Sequence, residues 1–320
     1  VNVSHGSSYN GHKIIGAMHE ETGYEIPFSE QVTRLCSVPT IVTGRFRTLE
    51  DVDDVIAAGQ ADMVGMTRAH IADPDIVKKT MEGRADEIRP CIGCNQGCIG
   101  GLSEGRVGCA INVAAGQELR FSEELIEPAK EVKKVLVIGG GPGGMEAARI
   151  AAIRGHQVTL AEGSDQLGGA TRVARLAPKH ASIGDVADWL EREMARLGIN
   201  VLLNTYVTAE IVRELAPDEV IIATGASPRM DGKVAAVEGE GPSGVGQDHV
   251  VSTQQLLTGH HNQIGASAVV LDDVGAYEAI GAAEFLVEQG AHVTFVTTQS
   301  SFAPRMGPAG LVVPALERLN

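Results

Sequence analysis

The run Lys134-Val-Leu-Val-Ile138 leads directly into Gly139-Gly140-Gly141-Pro142-Gly143-Gly144 and then into an Ala-rich segment, Glu146–Ile153. An apolar, β-branched run before a G-x-G-x-x-G turn, with a helix former after it, predicts a strand–turn–helix unit. A second strand, Gln157–Leu160, ends at Glu162, 18 residues beyond Gly144. Gly139 permits the tight turn, Gly141 lets backbone approach a pyrophosphate, and Gly144 lets helix and strand pack closely. The pyrophosphate then caps the helix, and Glu162 is placed to bond an adenosine ribose. Ile221-Ile-Ala-Thr224-Gly225 ends a later strand, where the glycine serves either ligand approach or a simple turn. The expected fold class is therefore α/β, with a Rossmann-like FAD/NAD(P)-binding region over 131–263.

Four of the five cysteines cluster as Cys91-x2-Cys94-x3-Cys98-x10-Cys109. Thiolates two or three residues apart converge on one centre, and a distant fourth closes it. The intervening Gly93, Asn95, Gly97, Gly100 and Gly101 are small, so the chain can wrap tightly and aim N–H groups at the sulfurs. Spacing favours a [4Fe-4S] cluster and leaves a four-cysteine zinc site open. Cys36 stands apart and is expected in the core.

Residues 1–90 alternate strand-like and helix-like runs: Val1–Ser4, a polar loop to Phe28, a helix over Ser29–Cys36, Pro39–Thr43, Leu49–Ala58, Ala61–Gly65, and a helix opened by Asp73-Pro74. That predicts about three parallel βα units. A closed (β/α)8 TIM barrel needs ~250 residues, so the reading here is its C-terminal part, and the whole chain is expected to be an internal fragment. Gly44-Arg45 and Gly65-Met66-Thr67-Arg68 follow two of the strands. Barrels hold phosphate at such turns with backbone N–H groups and a basic side chain. His5, Tyr9, His12 and His19 in the polar loop are the weak catalytic candidates.

A net charge of −15 repels phosphate backbones and argues against nucleic-acid binding. No apolar run reaches the ~18 residues of a membrane span, and no signal peptide is recognised, so a cytoplasmic, homo-oligomeric protein is expected. Residues 91–130 read as a cysteine-bearing connector and 226–263 as loop, with Gly241-Pro242 and Gly244 as breakers. Ala268–Leu271, Glu278–Gln289 and His292–Thr297 predict a second βαβ unit within 264–320. Its turn carries Asp272-Asp273, whose carboxylates would repel a pyrophosphate and argue against ordinary NAD(P)H binding.

Together these motifs resemble the old-yellow-enzyme-related iron–sulfur flavoenzymes, the family of trimethylamine and dimethylamine dehydrogenases, N-methyl amino-acid demethylases and 2,4-dienoyl-CoA reductase. Gly44-Arg45-Phe46 and Val64–Arg68 followed by Ile71-Ala-Asp-Pro74 are similar to its FMN-phosphate turns. Arg89-Pro-Cys-Ile-Gly-Cys-Asn95 resembles its cluster signature, and Cys109-Ala-Ile-Asn112 with Gly116 and Glu118 the stretch that closes the cluster. Gly139–Gly144, Glu162 and Ala223-Thr-Gly225 match its ADP- or FAD-binding domain. Thr67 and Val113 depart from the family pattern, where Gly or Ala and Pro are usual. The resemblance implies an FMN- and [4Fe-4S]-dependent oxidoreductase. Its FMN takes hydride from a small methylated amine or N-methyl amino acid and passes electrons to a carrier protein or second flavin. The alternatives are an NAD(P)H-dependent enoate or dienoyl-CoA reductase, and a zinc-stapled ADP-binding module without activity.

Overall fold

The computed structural model describes residues 1–233, 243–261 and 263–320, and the fold is mixed α/β. Three parallel sheets succeed one another. The first holds β1 (Asn2–Val3), β2 (Ile41–Val42) and β3 (Met63–Val64), paired in that order. Ile41 faces Met63 and Val42 faces Val64, so the segments after β2 and β3 leave the sheet side by side. Between them lies the helix Leu49–Ala57. Thr48 starts it by accepting the Asp51 N–H, and Asp51 bonds back to the Thr48 N–H.

Two expectations for this region need correction. The helix expected at Ser29–Cys36 is Ile26–Thr33, because Pro27 is fixed in helical geometry and opens the first turn, and a short helix, Gly11–Ile14, precedes it within the segment expected to be loop. Cys36 thus lies beyond the helix end, half-buried rather than in the core, with its sulfur near the Val32 carbonyl. Asp73 does not cap a helix either; the helix is Ile76–Met81. Asp73 ends the unforeseen helix Thr67–Ala72, and its buried carboxylate takes the Asp75 N–H, the Arg89 N–H and the Lys79 ammonium at 2.6 Å.

The second sheet holds β4 (Lys134–Ile138), β5 (Gln157–Ala161), β6 (Asn200–Leu202) and β7 (Glu219–Ile222) in the order β6-β5-β4-β7. That is the 3-2-1-4 strand order of an open doubly wound sheet, with the order reversing between β4 and β7. The helix Pro142–Ile153 begins inside the glycine turn, earlier than Glu146, with Pro142 at its first position. It packs Met145 and Ala148 on Val137, together with Trp189, Leu190 and Met194 of the helix Asp185–Arg196. Ile92 and Cys94 of the connector belong to this same core. The third sheet pairs β8 (Ser267–Asp272) with β9 (His292–Thr297) around the helix Tyr277–Glu288. Gly241 and Pro242 lie outside the described residues. Among the described residues no helix is long and apolar enough to cross a membrane.

Candidate cofactor-binding site

The sulfurs of Cys91, Cys94, Cys98 and Cys109 lie near enough to influence one another electrostatically. Cys94 is buried, and burial pushes its thiol up to about 12, with the sulfurs of Cys91, Cys98 and Cys109 adding to the effect. Burial also raises Cys98 and Cys109. The opposing influence is backbone. The N–H groups of Gln96, Ile99, and of Ile111 and Asn112 point at Cys94, Cys98 and Cys109 respectively. Such donors suit a thiolate, and a bound metal centre reverses the burial effect by holding the sulfurs deprotonated. Gly97 is needed for the wrap, since a Cβ there would stand 2.9 Å from the Cys109 backbone.

Asn95, between the second and third cysteines, is left-handed (φ 56°) and buried. Its Oδ1 accepts from Arg68 at 2.6 Å and its Nδ2 donates to the Ile15 carbonyl at 2.9 Å. Asn112 donates to the Ile71 carbonyl. Arg47 donates to the Cys91 carbonyl at 2.7 Å and pairs with Asp185. On the far side, Trp189 lies under two guanidinium groups, Arg89 at 4.9 Å and Arg149 at 5.3 Å, and both pair with Glu123. The connector is thereby tied to every sheet-bearing unit it touches.

Gly44-Arg45 and Gly65–Arg68 do lie on neighbouring turns after β2 and β3. Their arginines, however, reach toward the cysteine loop. Arg45 donates to the Glu20 carbonyl at 2.7 Å and lies so near Gly93 that a Cβ there would stand 2.9 Å from its Nη2. Burial, with Arg47 and Arg68 nearby, draws the Arg45 guanidinium down to about 10. Arg68 donates to the Gly16 carbonyl as well as to Asn95.

The glycine turn behaves as its spacing requires. Gly139 has φ 109°, and a Cβ on it would run into the Ala223 carbonyl. A Cβ on Gly144 would strike the Gly139 carbonyl, whereas Gly141 faces open space. Glu162 bonds the Gly140 N–H at 2.6 Å and the Ser164 N–H, and these bonds hold its carboxyl below the usual range although burial opposes them. Thr224 and Gly225 follow β7 at the same edge, Gly225 with φ 69°. Sequence reading missed Gly168 and Gly169. Both are left-handed, the Gly168 N–H bonds the Gly140 carbonyl, and Gly169 packs on Gly141. Their signal was a paired glycine just before the short helix Ala170–Ala174.

The weak catalytic candidates are not brought together. His5 stacks on Phe28 at 4.0 Å. Tyr9 is 99% exposed. His12 flanks Gly310 of the third unit. His19 is buried without a hydrogen-bond partner on either ring nitrogen; burial and Arg318 push it down to about 4.

The NADH:flavin oxidoreductase / NADH oxidase family model matches residues 5–87. The pyridine nucleotide-disulphide oxidoreductase model matches 104–214 and 133–310. The chain belongs to the old-yellow-enzyme-related flavoprotein oxidoreductases. It is 39% identical over 290 residues to an NADH oxidase of Thermoanaerobacter brockii, covering 90% of this chain and 43% of that protein. It is 35% identical over 294 residues to an N,N-dimethylglycine/sarcosine dehydrogenase of Chromohalobacter salexigens, covering 90% and 41%. Among solved structures, a 6-hydroxypseudooxynicotine amine oxidase from Pseudomonas geniculata N1 superposes with TM-score 0.92 at 31% identity, over 100% of this chain and 48% of that one. This flavoprotein chain thus spans under half the length of the relatives it matches.

Proposed function

We propose that this chain is the electron-relay part of an FMN- and [4Fe-4S]-dependent dehydrogenase or demethylase acting on a small methylated amine or N-methyl amino acid. Residues 1–90 are then the C-terminal portion of an FMN-binding TIM barrel, 91–130 the cluster connector, 131–263 an ADP/FAD-binding Rossmann domain, and 264–320 part of a second nucleotide-binding-like domain. The observation that carries this reading is the loop Cys91-x2-Cys94-x3-Cys98-x10-Cys109, whose sulfurs lie near enough to influence one another. Among the described residues no three His, Cys, Asp or Glu side chains close around a single ion. The C-x2-C-x3-C-x10-C spacing, three clustered cysteines plus one, favours iron–sulfur over a four-cysteine zinc site.

When bound, FMN would accept hydride, the cluster would relay single electrons, and ADP or FAD would fill the glycine turn. Cys91, Cys94, Cys98 and Cys109 would hold the cluster. Gly139, Gly141, Gly144, Glu162, Thr224 and Gly225 would hold ADP or FAD. Gly44, Arg45, Gly65, Thr67 and Arg68 would flank the FMN phosphate. The third unit supports this direction of flow. The Asp272 carboxylate already accepts the Val274 and Gly275 N–H groups and the Thr297 hydroxyl, leaving those donors satisfied and a negative charge where a pyrophosphate would sit. The 35% identity to the dimethylglycine/sarcosine enzyme supports the same side. The reverse reading, an NAD(P)H-driven enoate or dienoyl-CoA reductase, is favoured by the x3 cysteine gap and by the NADH oxidase relative. A soluble carrier protein is the proposed acceptor, and a cytoplasmic homo-oligomer the proposed form.

The test is an anaerobic visible spectrum of the full-length protein, titrated with NADH and NADPH and, separately, with methylated amines and N-methyl amino acids. Bleaching of flavin and cluster bands by amines alone is expected. Bleaching by a nicotinamide makes the enzyme a reductase, and zinc without acid-labile sulfide leaves only an ADP-binding module.

A further inference from the structure

Tyr277 is the first residue of the helix Tyr277–Glu288 in the third unit, yet its hydroxyl donates to the Cys94 carbonyl at 2.9 Å, 183 residues away in sequence. The Gln96 side chain lies beside the same phenol. The ring is held edge-on against His180 of the second unit, centroids 5.3 Å apart at 87°, and it packs on the cores of both the second and third units. The phenol is thus fixed from three sides.

What it fixes is the short hop from Cys94 to Gln96. The Gln96 N–H points at the Cys94 sulfur, and Cys94 is the only buried thiol among the four. A phenol that holds the Cys94 carbonyl sets how the Cys94–Gln96 turn, and the Gln96 N–H with it, lies against that sulfur. Hydrogen bonds to cluster sulfurs stabilise the more negative, reduced state and raise the potential. The third unit has a plugged turn in place of a glycine turn, and its helix delivers this one side chain to the cysteine loop instead.

We propose that Tyr277 is a positioning residue for the cluster, holding the Cys94–Gln96 turn through the Cys94 carbonyl and so raising the cluster's reduction potential. This rests on the cluster reading above. The experiment is an EPR-monitored redox titration of the full-length protein and its Tyr277→Phe and Gln96→Ala variants, with iron, sulfide and flavin content measured alongside. Tyr277→Phe keeps the ring against His180 and removes only the hydroxyl. The expected result is a roughly tenfold shift of the electron between cluster and flavin toward the flavin, equivalent to a fall of about 59 mV for one electron. Gln96→Ala is expected to shift it the same way. Loss of iron at unchanged flavin content carries the same meaning, because a ring that only packs would still be present. Full cluster content with an unmoved potential in both variants overturns the proposal alone. A wild-type protein with zinc in place of iron and sulfide overturns the cluster reading, and this proposal with it.

Discussion

Arg149→Met is expected to weaken the join between the cysteine connector and the second sheet. The Arg149 side chain is 2% exposed and meets Glu123 at 2.6 Å, Glu146 at 2.8 Å and Glu193 at 3.7 Å. Breaking a buried ion pair by removing one partner costs about 3–5 kcal/mol, because a charge is left behind without compensation. Here the stranded charge is Glu193, 4% exposed, which keeps only Arg196. Glu123 is 49% exposed and keeps Arg89, and Met refills much of the volume over Trp189, so the low end applies, about 3 kcal/mol. At ~2–4 °C per kcal/mol in a chain of this size, the melting temperature falls by about 6–12 °C. Circular-dichroism melts of the two proteins measure it. The pH dependence gives a second check. Burial alone would raise the Glu123 carboxyl, but Arg149 and Arg89 outweigh it and hold it at about 2. A carboxyl lowered on folding stabilises above its unfolded value, and that contribution is lost as pH falls from the ordinary carboxylate range through about 2. In Arg149→Met this acid-side loss is smaller. A variant that melts within about 2 °C of wild type at neutral pH would refute the reasoning.

Three further outcomes are expected. Gly144→Ala drives a Cβ into the Gly139 carbonyl and to 3.2 Å from the Ala223 Cβ; it should cost about 1–3 kcal/mol and lower retained ADP or FAD, read by nucleotide release on denaturation. His19 is neutral when folded, and its depressed value means wild-type stability falls as pH drops from about 6.5 toward about 4; His19→Leu should flatten urea midpoints across that window. Asp272→Ala leaves the Val274 and Gly275 N–H groups and the Thr297 hydroxyl without their acceptor, and should cost about 1–3 kcal/mol in urea denaturation.

The strands of the second and third sheets were legible because buried parallel strands are continuous β-branched runs; His292–Thr297 stands where its sequence puts it, and β5 extends its expected range by one residue. The glycine turn was legible because Gly139 and Gly144 each answer a backbone collision within the unit itself, while Gly141 faces open space. The helix Ile26–Thr33 was shifted by a local rule given too little weight, the preference of Pro27 for a helix's opening turn. The directions of Arg45 and Arg68 were not legible at all. Both follow strands and suit a phosphate turn, but their partners, Glu20, Gly16 and Asn95, are set by how loops from separate units meet.

The connector departs furthest from what its composition suggests. Small, polar, glycine-rich segments between domains ordinarily read as flexible linkers. Here Cys94 and Ile92 sit in the core of the second unit, while Asn95 bonds the first unit and packs its amide toward Ala309 of the third. A backbone this buried needs its polar groups satisfied, and it meets that need by lending carbonyls to Arg47 and Tyr277 and N–H groups to its own sulfurs. The same small residues that look like flexibility in sequence are what allow so many partners to approach one short loop. The cysteine loop is therefore coupled mechanically to all three units, and loosening any one of those ties should register first at the cysteines.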